Sequence, residues 1–62
     1  MKIGQMVTLR AYGNTELVRR IVGINNDVVS VCRPEEYERA NKAGREPISV
    51  GFRIKDVIKE NS

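Results

Sequence analysis

A chain of 62 residues makes one small domain, with no room for two lobes around a cleft. It has no His, no Trp and one Cys, which excludes a Cys/His zinc site, an internal disulfide and any nucleophile that relies on a His base. Net charge is +3, from 11 Lys and Arg against 8 Asp and Glu, and the apolar runs are far shorter than the ~20 residues of a membrane helix.

The start of the chain, Met1-Lys2-Ile3-Gly4-Gln5, has one positive charge with no apolar stretch behind it, so a signal peptide is not expected and a reducing, cytoplasmic setting is. Eight Val and six Ile, against two Leu and three Ala, weight the apolar set toward β-branched side chains that suit pleated surfaces. Charge is uneven. Residues 34–46 hold three basic and four acidic side chains, and the remainder of the chain is net positive.

Residues 6–12 alternate, Val7, Leu9 and Ala11 against Thr8, Arg10 and Tyr12, which is the period of a half-buried strand. Gly13-Asn14-Thr15 supplies a turn. A second strand is expected over Leu17 to Ile24, with Val18, Val22 and Ile24 on one face and a bulge or bend at Gly23. Asn25-Asn26-Asp27 reads as a short hairpin connection into a third strand, Val28 to Arg33. Pro34, three Glu in the next four residues, Lys42 and Gly44 describe one short helix, a surface insertion over about 34–44 that packs a narrow side through Tyr37, Ala40 and Gly44. Glu35 with Arg39, and Glu38 with Lys42, have the spacing of helix-surface ion pairs. Pro47 opens a fourth strand in which Ile48, Val50, Phe52 and Ile54 alternate with Ser49, Gly51, Arg53 and Lys55. Residues 55–58 form either one helical turn or a short last strand, and 60–62 are expected to fray.

These elements give an all-β domain of four or five antiparallel strands, residues 1–62, with one helical insertion. Their order resembles the Src-homology-3-like barrel, a shape shared by small translation, transcription and chromatin modules. The stretch Glu36-Tyr37, Gly44-Arg45-Glu46-Pro47, Val50-Gly51-Phe52 and Asp56-Val57 is also similar to a run found in short uncharacterised bacterial proteins, and implies no function.

Arg10, Arg53 and Lys55 fall on polar strand faces, with Arg19 or Arg20 and the strand-end Arg33 beside them, so a phosphate-contacting stripe is one expectation. Tyr12 shares a face with Arg10 and is the candidate stacking platform; Phe52 belongs to a core face. The run Val50 to Ile54 lacks the further aromatics of an RNA-recognition sheet. With three aromatics in all, the chain cannot line a polyproline groove or a methyl-lysine cage. Cys32 reads as a small core side chain. The expectation is a non-enzymatic binding module without cofactor or membrane, its partner RNA or DNA held on the basic strand face. The alternative is a protein-interaction module that self-associates, the acidic helix of one copy against the basic sheet of another.

Overall fold

All eight valines lie in strands, where their stiff side chains pack on a pleated surface. The computed structural model describes residues 1–61. In chain order the elements are β1 (Met6–Ala11), a 3-10 turn (Tyr12–Asn14), β2 (Thr15–Asn25), β3 (Val28–Cys32), α1 (Pro34–Ala43), β4 (Val50–Arg53), a second 3-10 turn (Ile54–Asp56) and β5 (Val57–Glu60). The strands form one antiparallel sheet in the order β4-β3-β2-β1-β5.

That order and the chain connectivity force the sheet to curl. Laid flat, the outermost of five strands are about 19 Å apart. Yet β4 and β5 are joined by one 3-10 turn, which at about 2 Å per residue spans less than half of that. The turn packs against β1, and the Ile54 amide donates to the Asp27 carbonyl at 2.8 Å, so the β2–β3 hairpin and β1 meet there. Inside the curl lie Val7, Leu9, Ile21, Val29 and Val31, all essentially buried, with Phe52, Ile54 and Val57 packed against them.

The expected inner face of β2 is corrected. Val18 and Ile24 are exposed, and Ile21 is the core residue. Register decides this: Leu17 stands opposite Leu9 and Arg19 opposite Val7, so residues 17, 19 and 21 look inward. The bulge expected at Gly23 is present, between Ile21 and Gly23, and it leaves Val22 as the extra residue. The amino-terminal turn pins β2 just before this bulge, as Gly4 donates to the Ile21 carbonyl and the Ile21 amide donates to Gln5, at 2.8 and 2.9 Å.

Helix α1 starts at Pro34 and stops at Gly44, as the punctuation of the sequence requires. Gly44 is left-handed at φ 68, and the Arg45 and Gly44 amides donate to Ala40 and Asn41 in a Schellman closure. Ala40 is buried, Tyr37 half-buried and Gly44 exposed. Neither Glu35–Arg39 nor Glu38–Lys42 comes within ion-pair distance among the described residues; the helix carboxylate that pairs is Glu36, with Arg45 beyond the helix.

Two further expectations are corrected. The fourth strand begins at Val50, three residues after Pro47, because Glu36 takes the Ile48 amide that a ladder would have used. The carboxyl-terminal segment is tied rather than frayed. Residues 54–56 form the helical turn and 57–60 the strand, and Asn61 bonds Thr8 through both side chains and Met6 through its backbone. Ser62 lies outside the described residues.

Candidate functional site

The seven candidate residues divide among three places. Arg20 is consumed by the fold. It stands opposite Cys32 on the outer face of the sheet, donates to the Gly4 carbonyl at 2.6 Å and stacks its guanidinium 4.9 Å from the Tyr37 ring centre. Its Nε is buried with no partner among the described residues, the position of a packed side chain rather than one free to meet phosphate. Cys32 lies beneath the same helix. Burial pushes its thiol up, Glu36 adds to the rise and Arg20 opposes it, so the sulfur stays a protonated core group.

Arg10, Arg53 and Lys55 flank the second 3-10 turn, and Tyr12 stands two residues past Arg10, in the first. Arg10 lies one residue beyond the Leu9–Val57 pairing, Lys55 is in the turn, and Arg53 leads into it. Tyr12 is fully exposed, at 100%, on a tip fixed by left-handed Gly13 and Asn14. The same end carries Glu16 opposite Arg10, Asp27 at 3.4 Å from Arg53, and Asp56 in the turn. Basic and acidic groups are therefore interspersed here, with Arg53 and Asp27 within ion-pair distance.

Arg19 and Arg33 come together elsewhere. The Arg20–Cys32 pairing sets Arg19 beside Arg33 at the β3–α1 junction, and Arg39 of the helix joins them on one surface. They rim an open groove of about 500 Å³ whose floor is Leu17, Val31, Ile48, Val50 and Phe52. Ile48 and Val50 are 76% and 62% exposed, although alternation assigned both to the core. Of the two carboxylates on this rim, Glu36 is spent: the Arg45 guanidinium and the Ile48 amide hold it down at about 2. Glu35 alone stands against three arginines.

The sequence reading missed Ile48, Val50, Leu17 and Arg39 as site residues. The available signal was Arg19: a charged side chain between Leu17 and Ile21 on one strand face marks where that face opens to water. Among the described residues no three Cys or carboxylate side chains cluster as a metal site, and no helix is long and apolar enough to cross a membrane. Fold and surfaces together define a small all-β domain with an open groove. Comparison with protein families, with curated proteins and with solved structures finds no match to this chain.

Proposed function

We propose that this protein is a small non-enzymatic binding module, of Src-homology-3-like barrel type, whose partner is a protein received in the Leu17–Phe52 groove. The observation that carries the reading is the exposure of Ile48 and Val50, side by side on an apolar floor ringed by arginines. Apolar surface left in water costs about 25 cal/mol per Å², and an apolar centre with an Arg rim is the composition of a protein-binding patch. The free Cys32 thiol suits a reducing, cytoplasmic setting.

The test is a selection of displayed random peptides on the intact protein, repeated on the Ile48→Glu and Val50→Glu variants. Peptides enriched by the native chain and lost by both variants support the reading. Enrichment that ignores both substitutions, or none at all, overturns it.

A second reading, RNA or DNA at the first 3-10 turn, rests on Tyr12. An aromatic ring this exposed offers a stacking face worth about 1–3 kcal/mol per base. Because basic and acidic groups are interspersed there, binding would depend on the ring more than on salt. Fluorescence anisotropy with labelled single strands at about 50 and 200 mM salt checks it. Tyr12→Ala should weaken binding roughly 5- to 150-fold, with a shallow salt slope. No binding at low salt removes this reading and leaves the groove untouched.

A further inference from the structure

Resting on the groove reading, we infer that the partner enters as an extended strand added to the free edge of β4, apolar where it crosses Val50 and Phe52 and acidic where it leaves past Arg33.

The backbone supplies the first half of the argument. β4 ends the strand order, so one of its sides has no neighbour in the ladder. The direction of its amides follows from the Ile54 amide, which points toward β3 and reaches Asp27. Arg53, at φ −74 and ψ 142, is extended, so the two-residue alternation carries backward into the strand. Val50 and Phe52 therefore bond β3, and the N–H and C=O groups of Gly51 and Arg53 face outward. Gly51 is exposed and has no side chain to block an approaching backbone.

The side chains supply the second half. Val50 stands opposite Val31 and Phe52 opposite Val29, so both project into the groove, and alternate residues of an added strand would extend the same floor. By register the arginines sit at the Val50 end: Val31 pairs Val50, Arg33 follows two residues further along the chain, and the Arg20–Cys32 pairing sets Arg19 beside it. Arg19, Arg33 and Arg39 against Glu35 leave two positive charges in excess at that end. An antiparallel strand, running from Arg53 toward Val50, meets them with its carboxyl-terminal residues.

The same charge argues against a second copy of this chain. Two-fold antiparallel pairing of β4 edges sets the arginine-rich rim of one copy beside the Arg53 end of the other, where Arg53 is already paired with Asp27 and no acidic excess meets the rim.

The probe is an acetylated, amidated peptide, TVTVTVEE, with TVTVTVKK and the reversed EEVTVTVT as controls, followed by amide hydrogen exchange on the intact protein. TVTVTVEE should bind more tightly than the other two and slow exchange at Gly51 and Arg53, leaving Val50 and Phe52 unchanged. Arg33→Glu should weaken it about five- to tenfold. If peptides found by selection occupy the groove and the Gly51 amide stays unprotected, strand addition is wrong and the groove reading stands. No binding of TVTVTVEE at millimolar concentration, or an oligonucleotide that protects the same two amides, overturns the proposal. So does a mass that rises with concentration and falls in Val50→Glu, which would place a second copy on the edge.

Discussion

Glu36 accepts from both terminal nitrogens of Arg45, at 2.6 and 3.3 Å, and from the Ile48 amide at 2.9 Å. These bonds draw the chain after α1 back onto the first helical turn and fix Ile48 at the lip of the groove. They also lower the carboxyl from 4.5 to about 2, through Arg45 first and the Ile48 amide second. A depressed carboxylate stabilises the fold fully above its unfolded value and loses that contribution as pH falls through the folded one. Melting temperature should thus decline between about pH 4.5 and 2 in the native chain. Glu36→Gln should begin lower at neutral pH and decline less across this window. It keeps a residual slope, because Glu60 is also lowered, by the amino-terminal ammonium and by Gln5. Melts by circular dichroism at closely spaced pH values check this, and parallel curves for the two proteins would remove Glu36 as the source.

At the scale of elements, what could be read in the residues is what local chemistry decides. Pro34 and Gly44 bound α1 because one pre-sets a helical φ and the other tolerates a left-handed one. The Gly23 bulge and the 25–28 hairpin follow from the same kind of punctuation. The face of β2 was illegible because it is settled by a partner strand: Leu9 opposite Leu17 turns Arg19 inward and Val18 out, against the apolar pattern within β2. The start of β4 was illegible for a related reason, since a carboxylate 12 residues away takes the Ile48 amide. The candidate site was half legible. Arg19 and Arg33 were named, but their meeting needs the β2–β3 register, and Arg20, identical in sequence terms, lies across the sheet beneath Tyr37. Adjacent residues on a strand point to opposite faces, and only tertiary packing says which one is spent.

The whole molecule has little stability to spare. At about 0.05–0.15 kcal/mol per residue, a chain this size holds roughly 3–9 kcal/mol. Its accessible surface is 4472 Å², against about 4000 Å² for a compact chain of 7.0 kDa, an excess in keeping with an open groove. Core and groove should therefore respond oppositely to the same kind of truncation. Leu9 is completely buried among Val7, Ile21, Val29 and Val31, and Leu9→Ala should cost about 2–5 kcal/mol, a large share of the total. Ile48 is 76% exposed, and Ile48→Ala should stay within about 0.5 kcal/mol of the native chain. Urea unfolding of both variants measures the contrast: the midpoint collapses for Leu9→Ala and holds for Ile48→Ala. A stable Ile48→Ala chain that no longer enriches peptides would show that this side chain serves a partner and not the fold. If Ile48→Ala is as damaging as Leu9→Ala, Ile48 belongs to the core, the groove is closed in solution, and the docking surface built on it falls.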